Sequence, residues 1–376
     1  MPCELKSDEK KQEYKMNKDS KIYIAGHYGL VGSALWKILT DKGYTNLIGQ
    51  SSKELDLRDS NAVATFFQTE KPEYVILAAA KVGGIIANSL YRGQFIYENL
   101  MIQNNVIHNA YLNEVKKLLF LGSTCIYPRE APQPMTEDCL LTSPLEYTNE
   151  PYAIAKIAGI KMCESYNLQY GTNYLSVMPT NLYGPNDNFN LETSHVLPAL
   201  IRKIHLGKCL EQNNWDAVRA DFNKRPIEGV DGSATENAIL EKLSKYGIIS
   251  DQEGVFKVEI WGTGAPLREF LWSEEMAEAC IYVIENINFD DVKTDNKEVR
   301  NTHINIGTGK EVSIKQVAEL IKEKVGFRGE LFFDASKPDG TMKKLTDTKK
   351  INQLGWHHKI EIDEGIEKLY RWYCSE

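Results

Sequence analysis

Ile22-Tyr23-Ile24-Ala25-Gly26-His27-Tyr28-Gly29-Leu30-Val31-Gly32-Ser33-Ala34 is the stretch that decides the fold. An apolar run leads into a turn that carries Gly26, Gly29 and Gly32, and a helical pattern follows. Such a turn lets the backbone approach a pyrophosphate closely, and the helix start offers it free N–H groups and a partial positive charge. The stretch therefore predicts a dinucleotide-binding unit; the alternative is a glycine turn that only packs the helix on the strand.

The residues that follow alternate short apolar runs with helical patterns. Strands are predicted at residues 21–25, 46–49, 74–80 and 117–122, and helices at residues 30–42, 60–70 and 95–114. This alternation is typical of a parallel sheet with helices on both faces. We predict an α/β fold, a Rossmann-type doubly wound parallel sheet with a smaller α/β substrate-binding lobe.

The predicted domain boundaries follow from composition. Residues 1–20 are almost wholly polar and indicate a mobile extension, so the fold is expected to begin at Lys21. The nucleotide-binding domain is predicted over residues 21–185. Residues 186–376 are predicted to form mainly the substrate-binding lobe, with some segments returning to the first domain.

Charge and cysteine content exclude several classes of protein. The net charge is −8 and no dense Lys/Arg stripe is present, which argues against a nucleic-acid partner. The seven cysteines are scattered and include no C-x-x-C pair, so neither a disulfide framework nor a metal site is predicted. No apolar run approaches the ~20 residues that span a bilayer. We expect a cytoplasmic protein without a membrane partner.

Three side chains are candidates for catalysis. Tyr152 and Lys156 are four residues apart, so on a helix they project from one face. A lysine beside a phenol lowers the phenol's pKa and can also hold a nicotinamide ribose. Ser123 ends an apolar run and could hydrogen-bond a carbonyl that is being reduced. Cys125 lies two residues further along an extended segment, so its side chain is expected to face the same cleft. The alternative for the Tyr-Lys pair alone is an exposed amphipathic turn.

The loop after the second strand bears on which dinucleotide binds. An acidic residue there would hydrogen-bond the ribose of NAD and repel a 2′-phosphate. This chain has Gln50-Ser51-Ser52-Lys53 at that place, which favours NADP(H). Asp56 is placed to meet the adenine edge, or alternatively is a carboxylate of a turn or helix start.

Several longer strings resemble one family, the GDP-L-fucose synthases, which are GDP-4-keto-6-deoxymannose 3,5-epimerase/4-reductases of the extended short-chain dehydrogenase/reductase superfamily. The matching strings are residues 26–34, 79–85, 148–156, 178–189, 194–200 and 268–271. The resemblance covers most of residues 21–376 and implies an NADP(H)-dependent enzyme that acts on a GDP-linked 4-keto-6-deoxy sugar, usually as a homodimer.

The resemblance implies a role for each matching residue. Tyr152 would donate a proton as hydride reaches C4, with Lys156 and Ser123 assisting, while Cys125 and His195 would exchange protons at the carbons beside the ketone. The implied cofactor-binding residues are Gly26, Gly29, Leu30, Val31, Gly32, Ser51, Ser52, Lys53, Asp56, Leu57, Ala78, Ala79, Lys156, Pro179, Asn181, Leu182 and His195. The implied substrate-binding residues are Lys203, Trp261, Arg268, Asp339 and Lys344. Core packing is the alternative for Trp261, and a turn for Asp339.

Three departures from the family pattern bear on specificity. Tyr28 stands where the family has an arginine, and a second arginine near Gln50 is missing. Trp272-Ser273-Glu274-Glu275 replaces the family's usual residues, and about forty extra residues, roughly 211–257, fall in the substrate-binding lobe. Production of GDP-L-fucose is the first prediction. The alternatives are C4 reduction of a GDP-4-keto-6-deoxy-heptose for bacterial surface polysaccharide and a non-catalytic cofactor-binding protein.

Overall fold

The structure is a computed structural model that describes residues 14–294 and 298–376. The chain divides into two compact units. The first comprises the chain up to Asn186 together with Phe270–Gly309 and Leu345–Lys359, and the second comprises Asp187–Glu269, Lys310–Lys344 and Ile360–Glu376. Within the described ranges, no helix is both long and apolar enough to cross a membrane.

A six-stranded parallel sheet forms the centre of the first unit. Its strands are β1 Ile22–Ala25, β2 Leu47–Ile48, β3 Tyr74–Leu77, β4 Lys117–Leu121, β5 Tyr174–Pro179 and β11 Ile304–Ile306. The order across the sheet is β11-β5-β4-β3-β1-β2, and every neighbouring pair is parallel. The inner strands are continuous runs of buried residues because both faces of the sheet are covered.

Helices cover both faces of this sheet. The helices of the first unit are α1 Leu30–Asp41, α2 Ser60–Glu70, α3 Ile85–Leu90, α4 Arg92–Leu112, α5 Glu150–Tyr170, α9 Ser273–Asn286, α10 Phe289–Val292 and α12 Lys349–Gln353. Leu35 of α1 and Ile281 of α9 share a core with Ile24 of β1. Phe67 of α2 and Ile160 of α5 share the opposite core with Tyr23, which precedes Ile24 in the same strand. The prediction of a doubly wound Rossmann-type fold is confirmed.

The predicted start of the fold at Lys21 is wrong by five residues. Met16 is buried in the core beside Tyr44, and Ser20 is also buried. The Lys18 ammonium lies 3.8 Å from the centroid of the Tyr44 ring, and the backbone of Thr45 donates to Lys18 O. The buried Met16 side chain, the cation–π contact and hydrogen bonds to Lys18 O and Asp19 O hold residues 16–20 in place, which their polar composition did not indicate. Residues 1–13 of the predicted extension lie outside the described residues.

The second unit is a smaller α/β structure. Its strands are β7 Ile248–Ser250, β8 Phe256–Trp261, β9 Leu267–Arg268, β12 Val312–Ser313 and β13 Glu330–Asp334, and its helices are α6 Val196–Glu211, α7 Trp215–Lys224, α8 Glu236–Lys245, α11 Ile314–Val325 and α13 Ile362–Ser375. The main sheet has the order β13-β8-β7, and β9 pairs with β12. A further pair, β6 Asn181–Tyr183 with β10 Phe270–Trp272, belongs to the first unit.

The residues predicted as extra, 211–257, form α7, α8 and β7. Their apolar side chains pack on α6 in one core, which includes Leu206, Val218, Phe222, Ile239, Leu243 and Ile248. Arg202 of α6 also bonds Asp221 of α7, with Nη2 at 2.8 Å from Oδ1. This segment is therefore an integral layer of the second unit and is joined to the helix that begins after His195.

Candidate active site

The glycine turn between β1 and α1 has the shape of a phosphate cradle. Gly26 has φ +85°, and a Cβ on Gly32 would lie 2.0 Å from Gly26 O. A Cβ on Gly26 itself would lie 2.8 Å from the backbone N of Ala79, so only glycine fits there. Helix α1 starts after Gly29 without a side-chain cap on its first N–H groups. The turn thus fits a dinucleotide pyrophosphate, and the backbone of Ala78 and Ala79 lies against it.

Tyr152 and Lys156 lie in the first two turns of α5, as their spacing predicts. Lys156 Nζ donates to Leu121 O at the carboxyl end of β4 (2.8 Å) and lies 5.7 Å from the centroid of the Tyr152 ring. Burial lowers the pKa of Lys156 to about 8. The helix therefore brings the predicted pair together beside the end of the central sheet.

The predicted lowering of the Tyr152 pKa is wrong for this arrangement. Burial raises the pKa of the Tyr152 phenol well above its ordinary value, and the neighbouring Cys125 adds to the rise. Lys156 does not offset this, because its ammonium is directed at Leu121 O and stays several ångströms from the phenol ring. The phenol is consequently protonated at neutral pH, which is the form that a proton donor needs.

Ser123 and Cys125 lie on a tight turn after β4, where an extended segment had been expected. Thr124–Ile126 form one turn of 3₁₀ helix, and Ser123 Oγ accepts a hydrogen bond from the Cys125 backbone N at 3.3 Å. Serine competes readily for local backbone donors, which explains why the chain turns here. The two residues are still neighbours, with Cys125 buried and Ser123 half-buried, but the argument from alternating side chains does not hold.

Tyr127 directly follows this turn and is fixed by buried hydrogen bonds. The sequence did not predict this role. The Tyr127 hydroxyl donates to Asn305 Oδ1 at 2.5 Å and lies 3.1 Å from His303 Nε2, and all three side chains are buried. Burial, with lesser contributions from nearby lysines, lowers the pKa of His303 to about 3, so its ring is neutral. The Tyr-Pro pair after Cys125 was the only signal in the sequence for such an anchor.

The loop after β2 contains the carboxylate of Glu54. The interpretation that no acidic residue is present there was made from residues 50–53 alone and did not include it. Ser51 N donates to Glu54 Oε2 at 2.8 Å, and Glu54 N donates to Ser51 O at 3.0 Å. Asp56 accepts from the backbone and guanidinium of Arg58, at 2.8–3.2 Å, as in the turn alternative. Ser52 and Lys53 are exposed in this loop, and Leu57 is half-buried.

Three further predicted residues of the first unit lie at the end of the fifth strand or just after it. Pro179 ends β5, and Asn181 and Leu182 begin the short strand β6. The backbone N of Thr180 donates to Ile306 O of the neighbouring strand, which fixes this exit from the sheet. The structure thereby places these residues at the same carboxyl edge as the turn after β4.

Within the second unit, two of the five predicted substrate residues, Lys203 and Trp261, contact or belong to β8. Lys203 of α6 donates through Nζ to Glu259 O, and burial lowers the pKa of Lys203 to about 8. Trp261 ends β8 and is 60% exposed, which excludes the alternative of core packing. Lys337 lies 5.7 Å from its ring centroid.

The side chains of Arg268 and Asp339 are both engaged in hydrogen bonds within the second unit. Arg268 Nη1 donates to Leu267 O and Thr341 O, at 2.7 and 2.6 Å. Asp339 accepts from both the backbone N and the hydroxyl of Thr263, at 2.9 and 2.7 Å, so its carboxylate is engaged in holding that turn. Lys344 is half-buried, and His195 is exposed at the N-cap of α6.

The chain matches a known family over most of its length. The sequence pattern of the NAD dependent epimerase/dehydratase family matches residues 22–222 and 231–307. The chain belongs to this family. It is 46% identical to the GDP-L-fucose synthase of Escherichia coli (strain K12) over 355 residues, which cover 94% of the chain and 97% of the relative. The predicted resemblance to the GDP-L-fucose synthases, and with it membership of an enzyme family, is confirmed.

Solved structures from Campylobacter jejuni are similar over almost their whole length. A GDP-6-OMe-4-keto-L-xylo-heptose reductase matches with a TM-score of 0.89 and 48% identity, covering 96% of this chain and 99% of that one. MlghC, a GDP-mannoheptose C4 reductase with NADP bound, matches with a TM-score of 0.82 and 47% identity over the same shares. The family and these neighbours agree with a dinucleotide cofactor of the NAD(P) type.

Proposed function

We propose that this chain reduces the C4 ketone of a GDP-linked 4-keto-6-deoxy sugar with NADPH and epimerises the carbons on either side of it, as a GDP-L-fucose synthase does. The observation that carries the proposal is the position of Tyr152 and Lys156, whose helix places Lys156 Nζ on Leu121 O, two residues before Ser123. Membership of the family supports the same chemistry.

Tyr152 is the proton donor of the proposed reduction. When bound, NADPH supplies the hydride that reaches C4 of the sugar. The ketone oxygen then takes the phenolic proton of Tyr152, which the raised pKa keeps in place until charge develops on that oxygen. Ser123 Oγ is proposed to hydrogen-bond the same oxygen, and Lys156 to hold the nicotinamide ribose.

Cys125 and His195 are the proposed residues of epimerisation. The C4 ketone acidifies the C–H bonds at C3 and C5, so a base that removes a proton and an acid that returns one to the opposite face invert each carbon. A thiolate and an imidazole suit this exchange near neutral pH. Cys125 is held in its 3₁₀ turn through Ser123 and Tyr127, so its sulfur has a defined position.

The two units have different proposed ligands. The first, with the glycine turn, would hold NADP(H). The second would hold the GDP group, with the diphosphate on Arg268 and Lys203 and an aromatic wall from Trp261. The strong exposure of Trp261 supports this assignment, because a large apolar ring is otherwise left in water.

C4 reduction of a GDP-linked heptose is the second candidate. It is favoured by the 47–48% identity to two C. jejuni reductases whose substrates are GDP-heptoses. The chemistry at Tyr152 would be unchanged, and the difference would lie in the sugar pocket and in whether Cys125 and His195 exchange protons.

We also propose that the enzyme is a cytoplasmic homodimer. Helices α4 and α5 leave large apolar side chains exposed at positions close to one face of each helix, namely Tyr97 and Leu112 on α4 and Ile154 and Leu168 on α5. A second copy of the chain would bury them. The described cysteines are all thiols, which supports a reducing compartment.

Product identification tests the proposed function. Purified enzyme would be incubated with NADPH and either GDP-4-keto-6-deoxymannose or a GDP-4-keto-6-deoxy-heptose, and the products identified by mass spectrometry and NMR. We expect NADPH consumption with the hexose and GDP-L-fucose as product. Turnover of the heptose alone would establish the second candidate, and binding of NADPH without turnover of either sugar would overturn both.

A further inference from the structure

The turn that carries Cys125 is closed by long hydrogen bonds. Cys125 N donates to Ser123 Oγ, and Ile126 N donates to Ser123 O, each at 3.3 Å. Tyr127 N donates to Thr124 O at the same distance. All three distances lie beyond the usual range for an N–H···O bond, so these contacts are weak. The turn therefore needs support from outside to hold the Cys125 thiol in one place.

The Tyr127 side chain supplies that support. Its hydroxyl lies 2.5 Å from Asn305 Oδ1 and 3.1 Å from His303 Nε2, and all three side chains are at most 1% exposed. Asn305 belongs to β11, whereas Tyr127 follows β4, and β5 lies between these two strands. The hydroxyl thus ties the end of the turn to a strand two places away in the central sheet.

The direction of each hydrogen bond follows from the partners of Asn305. Asn305 Nδ2 donates to Met135 O at 3.0 Å and to Asp347 O at 3.3 Å, so Oδ1 is the acceptor that faces Tyr127. A hydroxyl donates one hydrogen, so His303 Nε2 carries a proton and donates to the Tyr127 oxygen. Among the described residues the buried Nδ1 of His303 has no hydrogen-bond partner. Both bonds of the hydroxyl are therefore made to groups that are fixed in the core.

The groups proposed for reduction have other supports. Gly122 N donates to Val177 O of β5 at 2.8 Å, which holds the backbone directly before Ser123. Tyr152 lies on helix α5 and is held by that helix. Cys125, in contrast, lies between the weak bonds of the turn and the anchor at its end. Loss of the anchor should therefore displace the thiol more than it displaces the groups of reduction.

We propose that Tyr127 is a positioning residue for Cys125, which controls proton exchange beside the ketone and leaves hydride transfer nearly unchanged. The inference rests on the proposed role of Cys125 in epimerisation. Removal of the hydroxyl leaves the His303 N–H and Asn305 Oδ1 buried without this partner, which is unfavourable, so the end of the turn shifts. A shift of about 1 Å in a reacting group can lower its rate by ~10².

Thiol labelling tests the positioning of Cys125 without any sugar. Wild type and Tyr127→Phe would be treated with iodoacetamide in the native state, and mass spectrometry of peptides would give the rate at each cysteine. We expect Cys125 to be labelled about five- to tenfold faster in the variant, the effect of losing one buried hydrogen bond. Cys163, 1% exposed in the middle of α5, should keep its wild-type rate. Equal rises at both thiols, or none at Cys125, would overturn the inference.

Tyr174→Phe is the matched control. Tyr174 belongs to the same hydrophobic core as Tyr127 and is 2% exposed. Its buried hydroxyl has no hydrogen-bond partner in the part of the chain that the structure describes. The same substitution at this position removes an oxygen but no anchor, so both labelling rates should match those of wild type. Faster labelling of Cys125 in this control would also overturn the inference.

Proton exchange and hydride transfer would then be measured on the same variants. NMR would follow deuterium at C3 and C5 of GDP-4-keto-6-deoxymannose with NADP⁺ in deuterated water, and stopped-flow absorbance would follow NADPH consumption. In Tyr127→Phe we expect exchange to fall ~10- to 100-fold and hydride transfer to stay within about threefold. Equal losses of the two rates would overturn the inference. Wild type without exchange would instead overturn epimerisation in the proposed function, while the labelling rates still test the positioning by itself.

Discussion

Arg202 and Asp221 form a salt bridge from which water is excluded: Nη2 lies 2.8 Å from Oδ1, and the two side chains are 0% and 3% exposed. Arg202 also donates to Phe189 O at 3.1 Å, and the Tyr373 hydroxyl donates to the second oxygen of Asp221. The carboxylate of Asp221 therefore joins α6, α7 and α13. Because α6 also carries Lys203 and begins after His195, this contact holds the helix that bears two proposed site residues.

Loss of this carboxylate should destabilise the protein strongly. Asp221→Ala leaves the Arg202 guanidinium buried without its counter-charge, so we expect the free energy of unfolding to fall by about 3–5 kcal/mol. Urea unfolding followed by circular dichroism would measure the change. Asp216→Ala, an exposed position in the first turn of the same helix, should cost at most about 1 kcal/mol. Equal losses in the two variants would contradict this account.

Tyr152→Phe should abolish reduction and spare cofactor binding. The substitution removes one transferable proton and little surface, and loss of a general acid typically costs ~10² to 10⁴ in rate. Stopped-flow measurement of NADPH oxidation with a GDP-4-keto sugar would give the rate, and calorimetry the Kd for NADPH. A variant that stays within a few-fold of the wild-type rate would show that another group supplies the proton.

Lys156→Met should give an inactive enzyme that is more stable than wild type at pH 7. The pKa of Lys156 falls from 10.5 to about 8 in the folded protein because burial penalises its charge, a penalty of roughly 3 kcal/mol. The variant also loses the hydrogen bond to Leu121 O, which offsets about 1 kcal/mol of the stability gained by removing the buried charge. Below pH 8 the lysine is charged in both the folded and unfolded states, so the full penalty applies.

The stability gain of Lys156→Met should depend on pH in one direction. Between pH 8 and 10.5 the folded protein has released the Lys156 proton while the unfolded chain still holds it, so wild type becomes relatively more stable as the pH rises. Unfolding free energies measured from pH 6 to 10.5 should therefore converge for the two proteins. A gain that is constant over this range would mean that packing, and not charge burial, is responsible.

Cys125 and His195 distinguish the two candidate functions. If the enzyme epimerises, product made in deuterated water should carry deuterium at C3 and C5, and Cys125→Ser should suppress that label while hydride transfer to unepimerised sugar continues. NMR of the product would show both. Cys163→Ser, at a buried thiol in the middle of α5, is the control and should leave the labelling pattern unchanged. Wild-type product without deuterium at either carbon would favour the simple C4 reductase.

Local spacing in the sequence was sufficient for the parts of the site that lie within one element. The strand, glycine turn and helix of residues 22–34 follow from the apolar run and the three glycines, because each condition is met by neighbours in the chain. The pairing of Tyr152 with Lys156 follows from helical periodicity. The helix predicted over about residues 60–70 is observed at Ser60–Glu70, and the Asp59 side chain caps its first turn.

Tertiary structure decided the properties that depend on distant neighbours. Whether Tyr152 has a raised or a lowered pKa depends on how deeply the fold buries it and on where Leu121 O draws the Lys156 ammonium. The burial of Met16 likewise depends on Tyr44, which the fold brings to it. The sequence by itself determined the strand, glycine turn and helix of residues 22–34 and the helical pairing of Tyr152 with Lys156, because these rest on contacts between near neighbours. The burial of a side chain, and a charge pair such as that of Arg202 with Asp221, depend on segments that are far apart in the chain. Only the folded structure therefore determined them.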